Sequence, residues 1–145
     1  DYTVQAESNQ ALLRLAEILR KSGWMTDGGV TYPRVLSGGS ELELRVLQDQ
    51  DMNGYAFDAA TGLLEWSPRV FSVSLDSSTG VLGIYEGANL VWTLGRFFKS
   101  FNVATYKEDN SLHLKEIRVT MTTEKADRKG NPITLTSSSS IHMRN

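Results

Sequence analysis

The stretch Thr3–Gly23, TVQAESNQALLRLAEILRKSG, decides the architecture. Val4, Ala11, Leu12, Leu15, Ala16, Ile18 and Leu19 recur in it at three- and four-residue spacing, which sets them on one stripe of an α-helix. Glu7 stands early, and Arg20 and Lys21 fall in the last turn, where a cation suits the negative end of the helix dipole. Gly23 follows Ser22 as the residue best able to take the left-handed conformation that stops a helix. The pattern predicts a helix from Thr3 to Ser22, filling an N-terminal segment 1–23.

Beyond Trp24 the texture changes. Asp27-Gly28-Gly29, Pro33 and Gly38-Gly39 punctuate 24–40, which reads as an irregular connection. Period-two alternation, the mark of strands with one buried face, takes over after it. Leu42, Leu44 and Val46 alternate with Glu41, Glu43 and Arg45, and Phe71, Val73 and Leu75 alternate with Ser72 and Ser74. Asp76-Ser77-Ser78-Thr79-Gly80 joins Leu75 to Val81, and Glu86-Gly87-Ala88-Asn89 joins Val81–Tyr85 to Leu90–Leu94, so antiparallel hairpins are expected. The runs Phe97–Tyr106, Leu114–Thr123 and Ile133–Met143 follow, parted by turns at Asp109-Asn110 and Gly130-Asn131-Pro132. The expected fold is one α+β domain over 1–145. Its amphipathic N-terminal helix covers an antiparallel β-sheet of about six or seven strands spanning 41–145, with the last strand at an edge.

Composition narrows the function classes. A chain of 145 residues suits a single core. Its 15 Lys plus Arg against 17 Asp plus Glu, with no basic run longer than two residues, leaves out the electrostatic footprint of a nucleic-acid binder. The absence of cysteine removes disulfides, thiolate metal sites and cysteine nucleophiles together. No run reaches the roughly 18 apolar residues of a membrane span.

Residues that could carry chemistry are few. His113 and His142 stand on separate strand-like runs, with nothing in their spacing to hold either as a catalytic base. Gly28-Gly29 and Gly38-Gly39 lack the following helix that a phosphate loop needs, and read as turn glycines. Asp49-Gln50-Asp51-Met52-Asn53-Gly54 places oxygen-bearing side chains at alternate positions before a glycine, as in the first half of a calcium loop. Its second half departs from that pattern, because Ala60 stands where the closing Glu belongs. A polar turn cornered at Asn53-Gly54 competes with a calcium site made of Asp49, Asp51, Asn53 and Asp58. Trp24, Trp66, Trp92, Phe97, Phe98 and Phe101 suit a sheet-helix core. Adjacent strand residues point to opposite faces, so one of Phe97 and Phe98 must leave the core unless a bulge intervenes, and that one is a candidate contact for another subunit.

Taken together, these residues resemble the soluble part of a known family. The helix of Gln5, Gln10, Leu12, Leu15, Ile18, Leu19 and Arg20 running into Ser22-Gly23-Trp24 is similar to the region that follows the membrane-spanning part of prepilin-like proteins. Val81-Leu82, Leu94-Gly95-Arg96, Phe101-Asn102-Val103, Ile117-Arg118-Val119-Thr120-Met121 and the ending Met143-Arg144-Asn145 resemble minor pilins of the PilW kind and pseudopilins of the PulJ or GspJ kind. The resemblance implies a structural, non-enzymatic role: priming or capping a type IV pilus or type II secretion filament. It implies contacts with other minor subunits and the major subunit, and a methylated apolar segment before Asp1 anchoring the protein in the inner membrane with this domain on the periplasmic or extracellular side. Leu12, Leu15 and Leu19 on the helix stripe, with Phe97 and Phe98, are the interface residues this reading points to. The first alternative is a β-rich extracellular adhesin or carbohydrate-binding module using Trp66, Trp92 and Tyr85. A small enzyme built around a curved sheet comes next, and would need a polar cluster in its pocket.

Overall fold

A computed structural model describes residues 2–22, 24–54, 58, 60–61, 63, 65–107 and 114–142. Gly23, Asp109-Asn110, His113 and Met143–Asn145 lie outside the described residues. Helix α1 spans Tyr2–Ser22, within one residue of the expected start. Val4, Ala11, Leu15, Ala16 and Leu19 are buried on its inner face, with Leu12 and Ile18 packed partly against the same core. Leu13, which the spacing leaves off the stripe, is the exposed leucine of this helix. Among the described residues no helix is long and apolar enough to cross a membrane.

The expected single sheet of six or seven strands is not what forms. Among the described residues ten strands make three antiparallel sheets, and the fold is mostly β with one N-terminal helix. Met25–Asp27 (β1) and Val30–Tyr32 (β2) form a hairpin through Gly28 and Gly29, both at positive φ. Arg34–Leu36 (β3), Glu41–Leu44 (β4), Phe71–Asp76 (β5), Val81–Glu86 (β6) and Asn89–Gly95 (β7) make a five-stranded meander in chain order. Phe98–Lys107 (β8), Leu114–Ala126 (β9) and Pro132–His142 (β10) make a separate three-stranded sheet with β9 in the middle. The segment 24–40, expected to be irregular, thus holds three short strands. Pairs of three residues carry too little alternation to be seen as a period, and the glycines that mark their turns mask the rest.

The corner between the two large sheets explains why the meander does not continue. Phe97 stands at φ 69, a left-handed conformation uncommon for a bulky side chain. The main chain there serves both sheets: Phe98 N–H donates to Gly80 C=O at 2.9 Å, and Glu124 N–H donates to Phe97 C=O at 2.8 Å. One residue off the strand conformation turns the Phe98 side chain into the core, while Phe97 stays half-exposed. Helix α1 then lies against β7, β9 and β10, and β8 packs across the meander. Leu15, Leu42, Val73, Leu82, Ile84, Phe98, Ile117 and Met121 meet in one core between the layers.

Candidate functional site

Between β4 and β5 the chain leaves the sheet and returns. Val46–Gln48 and Glu65–Ser67 run antiparallel as the neck of this excursion, bridged at Leu47 and Trp66. Ser67 N–H donates to Val46 C=O at 2.8 Å and Gln48 N–H to Glu65 C=O at 3.1 Å. Buried Arg45 fastens the neck from below, its Nη1 reaching Asp27 Oδ2 at 2.9 Å and its Nε donating to the Ser67 carbonyl. The expected hairpin corner at Asn53-Gly54 is therefore a bend inside a longer loop, with Met52 at φ 61 and Gly54 at φ 88.

At the mouth of this neck one carboxylate oxygen from each of Asp49, Asp51 and Glu65 lies within 4.8 Å of the other two. Main-chain N–H groups hold one oxygen of each acid. Gly54 N–H donates to Asp49 Oδ2 at 2.8 Å, Asn53 N–H to Asp51 Oδ1 at 3.1 Å, and Gln50 N–H to Glu65 Oε2 at 3.1 Å. The second oxygens of Asp49 and Glu65, Oδ1 and Oε1, are buried and have no hydrogen-bond partner among the described residues. Glu65 as a whole is 8% exposed. Burial pushes its carboxyl above the ordinary range. The negative charges of Asp51, Asp49 and Asp58 push the same way, and the Gln50 N–H opposes them.

The four sequence candidates for calcium divide here. Asp49 and Asp51 are brought together; Asn53 instead turns its side-chain amide to within 3.4 Å of Asp51 Oδ2. Asp58 Oδ1 accepts from Ala60 and Thr61 N–H at 2.7 and 3.2 Å, capping its own turn while adding its charge to the field at Glu65. Ala60, which stands where a closing Glu was sought, is replaced in that role by Glu65 on the returning limb. Only the register of Leu47 on Trp66 brings Glu65 there, and no local motif encodes that register.

The interface candidates fall mostly inside. Leu15, Leu19 and Phe98 are buried in the chain's own core, so the helix stripe expected to face another subunit is already covered; Leu12 is half-covered. Phe97 is the member of its pair that leaves the core, with Lys125 Nζ at 5.0 Å and the Arg96 guanidinium at 5.9 Å from its ring. Exposed apolar side chains gather instead on β7, an outer strand of the meander, at Leu90, Val91 and Trp92. A cleft of about 440 Å³ opens there beside α1, lined in part by Arg14, Glu17, Trp92 and Leu94. Trp66 is half-buried on the limb that returns into β5, bridged to Leu47, whereas Trp92 is exposed on β7. His142 is exposed at the end of β10. No protein-family model, curated protein or solved structure matches this chain.

Proposed function

We propose that this chain is a structural assembly subunit of the minor-pilin or pseudopilin kind, acting through contacts with neighbouring subunits on the periplasmic or extracellular face of a membrane. The observation that carries the reading, beside the sequence resemblance, is strand β10. It runs for eleven residues at the rim of the three-stranded sheet, paired on one side with β9 along its whole length. From Ile133 to Ile141 it contains no charge and no proline, the usual devices that keep an edge from pairing with another chain. Its outward residues Thr134, Thr136, Ser138 and Ser140 are exposed, while Ile133, Leu135, Ser137, Ser139 and Ile141 turn toward the body. Ser8 of the helix donates to Ser137 Oγ at 2.7 Å and steadies the strand from that side.

Such an edge offers main-chain hydrogen bonds to a neighbouring strand, the recognition mode of strand addition. The test places Thr136→Lys with Ser138→Lys in the native host and follows the protein in sheared filament fractions. The pair is expected to leave the melting temperature within the range of surface substitutions and to lower incorporation into filaments. Unchanged incorporation would show that the edge is not the contact, and absence of the wild-type protein from filaments would remove the assembly reading itself. Exposed Trp92 over the cleft with Arg14 and Glu17 favours a second reading, a small binding module.

A further inference from the structure

Independently of the assembly role, we infer that Asp49, Asp51 and Glu65 form a calcium site that closes the neck of the 46–67 excursion. Three acids converge on one point, and for Asp49 and Glu65 no Lys, Arg or His among the described residues supplies a countercharge. A cluster of exposed acids would mean little. Here Glu65 is more than nine-tenths buried, its Oε1 has no donor among the described residues, and Asp49 Oδ1 is in the same condition. Buried polar atoms are nearly always satisfied, and a carboxylate oxygen left without a donor marks a missing partner that must itself be positive or a donor.

The arrangement suits a hard cation. In each acid one oxygen is anchored by a main-chain N–H, so the carboxylates cannot swing away from one another, and for Asp49 and Glu65 the second, unanchored oxygen is the orphaned one. Oxygens within 4.8 Å of one another can share one calcium ion at its 2.3–2.6 Å bond length, because two ligands on opposite sides of the ion stand about 4.6–5.2 Å apart. Calcium takes six to eight oxygens in flexible geometry, and water and main-chain carbonyls of the loop complete the set. Magnesium prefers to keep its water and demands a tighter octahedron than a loop anchored at three separate main-chain points provides. Two ligands come from the outgoing limb and the third from the returning limb, so the ion works as a clip. Its binding free energy adds directly to the stability of the folded loop.

The experiment compares thermal unfolding of the wild-type chain in calcium chloride, in magnesium chloride and in chelator, beside Glu65→Gln and Asp49→Asn. Calcium at a hundredfold excess over its Kd is expected to raise the wild-type melting temperature by roughly 5–10 °C relative to chelator. Magnesium at the same concentration is expected to do less. Glu65→Gln is expected to melt in chelator at or above the wild-type temperature, since it removes one of three crowded negative charges, and to lose the calcium response. Asp49→Asn is expected to lose most of it. A wild-type chain that melts at the same temperature in calcium and chelator overturns the site. An equal response to magnesium overturns the choice of ion, and an undiminished response in Glu65→Gln overturns the ligand set.

Discussion

The Glu7 carboxylate, in the second turn of α1, accepts a 2.9 Å hydrogen bond from the main-chain N–H of Arg96 and stands 3.7 Å from the Arg96 guanidinium. This pair joins the helix to the corner where the chain passes from the meander to the second sheet. An acid early in a helix ordinarily reads as a partner of the helix dipole; Glu7 is instead the latch of the corner. Glu7→Ala would leave the Arg96 N–H without its acceptor, and a loss of about 1–2 kcal/mol is expected by denaturant unfolding. Glu7→Gln keeps an acceptor and should lose less.

Gly95 sits under the same latch. A Cβ there would stand 2.7 Å from Phe98 Cε2 and 3.3 Å from the Glu7 carbonyl, and neither the core ring nor the helix backbone can yield freely. Gly95→Ala is expected to destabilise by about 1–3 kcal/mol through overpacking, read as a lower melting temperature with an unchanged unfolding slope.

The helix carries an internal control. Leu15 is fully buried, and Leu13, two residues before it, is 68% exposed. Leu15→Ala should cost about 2–5 kcal/mol, and Leu13→Ala less than about 0.5 kcal/mol. Similar losses at both would mean that the inner face of α1 is misassigned.

Asp76 opens the turn between β5 and β6. Its Oδ1 accepts from the Ser78 hydroxyl at 2.7 Å and from the Ser78 N–H at 3.0 Å, and these bonds hold its carboxyl below the usual aspartate range. Because the folded-state value is depressed, the stabilisation is present above the unfolded value of 3.8 and is lost as pH falls through the lower folded value. Asp76→Asn is therefore expected to lower stability at pH 7 and to flatten the decline of the wild type below about pH 4. A parallel decline in both proteins would show that Asp76 contributes nothing to it.

The sequence foretold some layers of this fold and not others, for physical reasons. The helix was legible because its apolar residues repeat over five turns, and the β5–β6 and β6–β7 hairpins because Asp76–Gly80 and Gly87 carry their own turn chemistry. The division into two large sheets was not, since it rests on the left-handed conformation of one residue, Phe97, whose type disfavours it. The adjacency Phe97-Phe98 pointed to one ring leaving the core or to a bulge, and not to a change of sheet. Two of the three acids of the cluster were legible in the spacing of Asp49 and Asp51, which is local. Glu65 was hidden because it arrives from the other limb of a neck whose register depends on Leu47 meeting Trp66.

The proposal that this domain belongs to a membrane-anchored assembly subunit is tested by intact mass and N-terminal sequencing of the native protein from the membrane fraction of its host. About twenty apolar residues ahead of Asp1, beginning with a methylated Phe, are expected if it holds. A native protein that is recovered without such a segment would contradict it and favour the binding-module reading centred on Trp92.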